Sequence, residues 1–244
     1  MLLFLSAALA FTPYDYSEIE EQIKKTEGYR QFRDLDYYPV FPLSGYQKAA
    51  TGRVATGVLP VQDNKFQVIW GIVVFDINID ILYAAVNEEL KHIDATPVDY
   101  AVLLRGKACQ HKRQVLMHLP VPLLSDRWWV TTHSINPNIR AQSQGRVLEV
   151  SWEEIEDVDS LVLDQETKNI IDNSVYVSFN KGGWTFIRLD DTHTLIEYFS
   201  WSDPGGSIPD SLLPYVSSFT SSGIKDIFIA METYAKNNEP ECYY

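Results

Sequence analysis

The sequence predicts an α+β fold in which a curved antiparallel sheet wraps around a long C-terminal helix. Three observations carry that prediction. First, two segments rich in aromatic and β-branched residues, Trp184 to Leu189 and Thr194 to Trp201, are separated by the turn residues Asp190-Asp191-Thr192, as paired strands require. Second, the chain breaks at Asp203-Pro204-Gly205-Gly206 and then repeats apolar residues at helical spacing. Ile208, Leu212, Leu213, Val216 and Phe219 lead into Ile224, Ile227, Phe228, Met231 and Tyr234. Third, strand-like segments recur upstream with turn signals between them, and no linker, charge block or internal repeat divides the chain.

From the N-terminus, Ser17-Glu18-Ile19-Glu20 predicts the cap of an acidic helix reaching about Phe32, which covers an edge or end of the sheet. Tyr37 to Pro42 breaks it. Tyr46 to Pro60 and Phe66 to Asp76 read as a hairpin around Asp63-Asn64. Helical spacing returns through Ile79, Leu82, Tyr83, Val86 and Leu90, with Asp80 and Lys91 at the ends that suit the helix dipole. Val98 to Arg105 and Cys109 to Leu119 form a hairpin about Gly106-Lys107, and Arg127 to Ser134 and Val147 to Glu153 are the next strands. The acidic stretch Glu154 to Asn173 makes a short helix, a lid-like loop or a solvated connection. Val175 to Phe179 or Trp184 to Leu189 then completes the sheet, with Lys181-Gly182-Gly183 as a turn and Trp184 and Phe186 on one face. Ser207 caps the final helix, Pro209 and Asp210 sit in its first turn, and Pro214 and Gly223 read as a kink or brief break. At roughly 1.5–3 kcal/mol per fully buried large side chain, the apolar stripe outweighs the propensity cost of those two residues.

The residues GGW at Gly182 to Trp184, TLIEYFSW from Thr194, DPGGSIP from Asp203 and SSGIKDI from Ser221 resemble the C-terminal third of the START domains, the steroidogenic-acute-regulatory-protein-related lipid-transfer family. PLLSDRWWV, from Pro122 to Val130, is similar to the family segment in which an Arg-Asp pair precedes an aromatic and a valine. Arg127 takes the arginine place, and Trp128 stands where the family has aspartate. The resemblance covers about Tyr46 to Lys236. With the residue patterns on either side, the chain divides into a candidate signal peptide at 1–10, an N-terminal helix and connection at 11–45, a START-like domain at 46–236 and a tail at 237–244. The resemblance implies the domain at 46–236. It implies the helix-grip fold and a pocket for a hydrophobic molecule between sheet and helix. It also implies that the position held here by His133 can serve as a polar contact inside the cavity.

Composition excludes several classes. With 244 residues, 45% of them hydrophobic and 13% aromatic, the chain buries one sizeable core. A net charge of −13 opposes the phosphate backbone of nucleic acid and leaves at most transient contact with an anionic membrane. The expected state is a monomer. Met1 to Ala10, MLLFLSAALA, is apolar and ends in the small residues favoured before a signal-peptidase cut, though it has no basic n-region. The expectation is a secreted or periplasmic protein whose mature chain begins near Phe11, with a cytoplasmic location the alternative. Cys109 and Cys242 allow pairing in an oxidising compartment, but sequence alone gives no proximity, and two unpaired thiols are expected.

Catalytic motifs are absent from the sequence. His92, His111, His118, His133 and His193 lie far apart with no metal-ligand spacing, no GxSxG surrounds a serine, and Gly52 to Gly57 lacks the Lys and Ser/Thr of a phosphate loop. Asp190-Asp191 and Asp157/Asp159 fit turn-capping roles. No cofactor and no metal are expected. The six tryptophans belong first to the core, and the adjacent Trp128 and Trp129 must point to opposite faces of one strand. Arg127 and His133 share strand parity and face one side. The candidate ligand contacts are therefore Arg127, Trp129, His133, Trp184, Tyr198, Phe219 and Phe228. They point to binding, with or without transfer, of a lipid or another hydrophobic small molecule. The alternatives are a cyclase- or aromatase-like enzyme of the same superfamily, which needs an inward acid/base pair, or a protein-interaction module with a filled core.

Overall fold

Period-two alternation splits the sheet's side chains into two sets, and helices cover both faces. The computed structural model describes residues 13–61, 64–206 and 208–242. The helices are α1 (Tyr16–Thr26), α2 (Leu43–Ala50), α3 (Ile79–Val86), α4 (Pro137–Gln142), α5 (Gln165–Ile171) and α6 (Leu213–Asn237). The strands are β1 (Ala55–Val61), β2 (Asn64–Phe75), β3 (Tyr100–Arg105), β4 (Lys112–Leu119), β5 (Arg127–Ile135), β6 (Val147–Glu154), β7 (Val175–Tyr176), β8 (Phe179–Arg188) and β9 (Thr194–Asp203). They form one sheet in the order β1-β2-β9-β8-β6-β5-β4-β3, antiparallel throughout except for β7, which pairs parallel with β5. This is the predicted α+β architecture, with α6 lying across the inner face. The candidate signal peptide at 1–10 lies outside the described residues.

The inner core joins Val73 and Phe75 of β2, Leu148 and Val150 of β6, Phe186 of β8 and Ile196 of β9 to Leu82 and Tyr83 of α3 and Ile224, Phe228 and Met231 of α6. The outer core sets Val68, Trp70, Ile72 and Val74 of β2 and Leu195 and Phe199 of β9 against Ile19, Phe41, Tyr46 and Ala49 from the N-terminal segment. That segment is also held by charge. Glu149, Thr185 and Glu197 lie side by side across β6, β8 and β9 on the outer face. Glu197 accepts from the Tyr46 hydroxyl at 2.6 Å, Arg30 Nη2 at 2.9 Å and Arg33 Nη2 at 3.2 Å. Burial pushes the Glu197 carboxyl up, and the two guanidinium groups more than reverse it.

Several elements differ from the sequence expectation, each for a local reason. The first helix is capped by Asp15, whose carboxylate accepts from Ser17 N, and it gives way to a 3₁₀ turn at Glu27–Phe32. Leu43–Ala50 is helix, because Gly45, Tyr46, Ala49 and Ala50 share a buried helical face; the first strand begins only at Ala55. Gly182 and Gly183 are not a turn but the middle of β8, where the Trp152 indole lies against Gly182 in the space a Cβ would need. Pro214 falls in the first turn of α6, where its missing N–H costs nothing, so it makes no kink. The helix runs unbroken through Gly223, where a Cβ would sit 3.3 Å from Pro97 Cγ. Ser207, the expected cap, lies outside the described residues.

The expectation of two unpaired thiols is overturned. Cys109 and Cys242 form a disulfide across a sequence separation of 133, with Cα atoms 5.1 Å apart. Cys109 lies not in a strand but in the β3–β4 turn with φ 65°, which turns its side chain toward the tail beyond α6. Buried Glu88 reinforces the junction, accepting from the Tyr234 hydroxyl at 2.5 Å, from Cys242 N at 2.8 Å and from Glu241 N. Cross-linking so long a loop is worth roughly 2–5 kcal/mol. Reduction, or Cys242→Ser, should therefore lower the urea midpoint by that free energy with the circular dichroism spectrum kept; an unchanged midpoint would show that the bond does not form.

Candidate functional site

Between the inner face of the sheet and α6 the packing is incomplete, leaving a cavity of about 810 Å³. Its wall is mostly apolar. β5 contributes one whole face, Arg127, Trp129, Thr131 and His133, at alternate positions; Trp128 and Val130 are not on the wall. Trp128 packs on Tyr176 at 4.7 Å, so the two adjacent tryptophans do diverge as predicted. Met117 and Leu119 of β4, Val150 and Trp152 of β6, Asn180 and Trp184 of β8, and Tyr198, Ser200 and Ser202 of β9 extend the wall. Thr220, Gly223, Ile224, Ile227 and Met231 of α6 close it. Val121, Leu124, Pro204 and Ile208 form a rim at the Arg127 end.

Arg127 and His133 are six residue steps apart, about 20 Å along β5. At the rim, Arg127 donates from Nε to Pro204 O at 2.9 Å, from Nη1 to Ser125 O and from Nη2 to Gly205 O at 3.4 Å. Its guanidinium thus ties the segment before β5 to the segment before α6. At the other end, Glu89, just beyond α3, takes both oxygens from one guanidinium: Arg113 Nε to Oε1 at 3.0 Å and Nη2 to Oε2 at 2.9 Å. His133 Nδ1 lies 3.5 Å from Glu89 Oε1, its Nε2 lies 3.1 Å from Thr131 Oγ1, and its ring stacks on Trp152 at 6.1 Å. Burial holds the imidazole near pKa 4 against the pull of Glu89, so His133 is neutral at physiological pH. The neutral form that donates from Nδ1 toward the carboxylate leaves Nε2 to accept from the Thr131 hydroxyl.

Of the seven candidate contacts, Arg127, Trp129, His133, Trp184 and Tyr198 line the cavity. Phe228 does not. Its ring fills the space over Gly71, where a Cβ would sit 2.7 Å from Phe228 Cε2, and it packs on Trp184 at 5.6 Å and Tyr198 at 6.1 Å. It is a fully buried support for two wall residues. The Phe219 side chain lies outside the described residues. Sequence reading missed Thr131, Glu89, Arg113 and Trp152. Strand parity from Arg127 and His133 marks Thr131, whereas nothing local signals Glu89 or Arg113, which meet only when the turn after α3 is brought to β4.

No protein-family model matches the sequence, and no curated protein matches it. Solved structures do. The STAR-related lipid transfer protein fragment from Xanthomonas axonopodis superposes with a TM-score of 0.58 at 18% identity, over 75% of this chain and 94% of that one. Human StAR-related lipid transfer protein 5 gives 0.58 at 14% identity over 91% and 96%, and human STARD10 gives 0.58 at 15% over 87% and 80%. At these identities the likeness is one of fold: the chain adopts the START helix-grip fold.

The buried His133 makes the stability pH-dependent. An unfolded histidine takes up its proton near pH 6.5 and the folded one near 4, so in that window the unfolded state binds more protons and acidification favours unfolding. Between about pH 6.5 and 4 this group should remove on the order of 3 kcal/mol. His133→Gln should lose less stability than wild type over the same window in urea titrations. Equal losses would remove His133 as the cause.

Proposed function

We propose that this protein binds a lipid or another hydrophobic small molecule in the cavity between the sheet and α6, without chemically transforming it. The observation that carries the reading is the cavity itself: about 810 Å³, mostly apolar, with polar groups gathered near its two ends. The fold neighbours support it, since two of the three compared above carry lipid transfer in their names. Whether bound cargo moves between membranes is a further step of the same proposal, with α6 and the rim segments as the moving parts.

One observation favours an enzyme, the inward placement of His133 beside the Glu89 carboxylate. Two features weigh against it. Both Glu89 oxygens are held by Arg113, and a histidine with pKa near 4 is a weak base at neutral pH. The Cys109–Cys242 bond supports a working place in an oxidising compartment, as an exported protein would have. Alkylation of protein taken from its native location should find neither thiol free; two modified cysteines would argue for a reducing compartment.

The binding reading is tested by native mass spectrometry and solvent extraction of the purified protein. A copurifying hydrophobe, or uptake from a broad lipid panel, is expected. Ser200→Trp, which places an indole on the β9 wall, should cut the bound load several-fold while the fold is retained. Absence of any bound hydrophobe, or an undiminished load in that variant, would remove the cavity as the site.

A further inference from the structure

We infer that the cavity selects uncharged hydrophobes bearing one hydroxyl or carbonyl and rejects those with a phosphate or carboxylate head. This rests on the binding reading above and goes beyond it by assigning the head-group chemistry from the charges on the wall. The ionisable side chains on the wall, besides the Tyr198 phenol, are Glu89, His92, Arg127 and His133. Each is accounted for. The Glu89 charge is cancelled by Arg113 through two hydrogen bonds, and Arg113 is itself buried behind the wall rather than on it. Burial lowers the pKa of both histidines and keeps them neutral. Arg127 is committed to three backbone carbonyls that hold the rim together.

An anionic head at the deep end would meet the Glu89 carboxylate with no uncommitted cation on the wall beside it. An anionic head at the rim would have to compete with the carbonyls of Ser125, Pro204 and Gly205 for Arg127. A protein of net charge −13 adds a general repulsion. A neutral hydroxyl or carbonyl meets neither obstacle. The Glu89 and Thr131 oxygens keep acceptor lone pairs, and the His133 Nδ1–H, 3.5 Å from Glu89 and so not closed into a hydrogen bond with it, remains a donor, so a single polar atom of a ligand can be satisfied there. The rest of the wall asks only for apolar contact.

The test holds the tail constant and changes the head: 1-hexadecanol, palmitate and hexadecyl phosphate, each titrated into delipidated protein at pH 7.5 and followed by tryptophan fluorescence and native mass spectrometry. Hexadecanol should bind at least tenfold more tightly than either anion. Glu89→Gln leaves the Arg113 charge uncompensated beside the site and should raise palmitate affinity at least tenfold while changing hexadecanol less. Anions binding as tightly as the alcohol to the wild type would overturn the inference and leave the cavity reading intact. If the variant fails to fold, the wild-type comparison alone decides. Failure of all three ligands, together with empty extracts, would overturn the cavity reading and this inference with it.

Discussion

The interior of this fold cannot be dry. A void of about 810 Å³ extrapolates, at roughly 24 cal/mol per Å³, to a cost on the order of 20 kcal/mol, more than the 5–15 kcal/mol by which domains are stable. The space is therefore held by water or by cargo, and the side chains around it are not the ones that keep the sheet together. That role falls elsewhere. Phe228, Phe75, Tyr83 and Phe186 pack tightly beside the cavity, and Trp70, Ile72, Leu195 and Phe199 pack against the N-terminal segment on the outer face. The inner face is left open because other surfaces do the holding.

The outer face shows how. Two carboxylates, Glu149 and Glu197, are buried on adjacent parts of the sheet, an arrangement that would repel unless cations covered it. Arg30 and Arg33 arrive from the 3₁₀ turn after α1, and Tyr46 arrives from α2, so the N-terminal segment is pinned where its hydrophobic face also packs. Removing one partner would strand a buried charge, which costs far more than the pair contributes. The cluster thus makes one placement of the segment much better than its neighbours. It also stiffens β6, β8 and β9 from behind, the strands that present Trp152, Trp184 and Tyr198 to the cavity.

Much of the fold was legible because its signals are local. The Asp190 turn, the divergence of Trp128 and Trp129, and the stripe of α6 follow from periodicity and turn chemistry, and the structure repeats them. What failed depended on distant partners. Gly182-Gly183 looks like a turn in sequence, yet Gly182 makes room for the Trp152 indole from the neighbouring strand and Gly183 lies under Tyr38 and Phe199 on the other face. Tyr46 and Ala49 look like strand residues until β2 offers them a floor. The candidate contacts divide the same way: β5 parity gives Arg127, Trp129 and His133, while Phe228 shares the α6 stripe with true wall residues and differs only in what lies opposite. Glu89 and Arg113, 24 residues apart, carry no mark of pairing in the sequence.

The two ends of α6 are anchored by different chemistry, and the cavity lies under the turns between them. At the C-terminal end, Tyr234 and the following tail bond to Glu88, and the Cys109–Cys242 bridge makes the junction covalent. At the N-terminal end no side chain caps the helix, and the segment before it is tied to the sheet through the Arg127 guanidinium and the carbonyls of Pro204 and Gly205. Thr220, Gly223, Ile224, Ile227 and Met231, the residues that roof the cavity, run along the middle of the helix between these two anchorages. The placement of the disulfide therefore does more than stabilise: it fixes one end of the helix that roofs the cavity, while the Arg127 guanidinium ties the segment before the other end to the sheet.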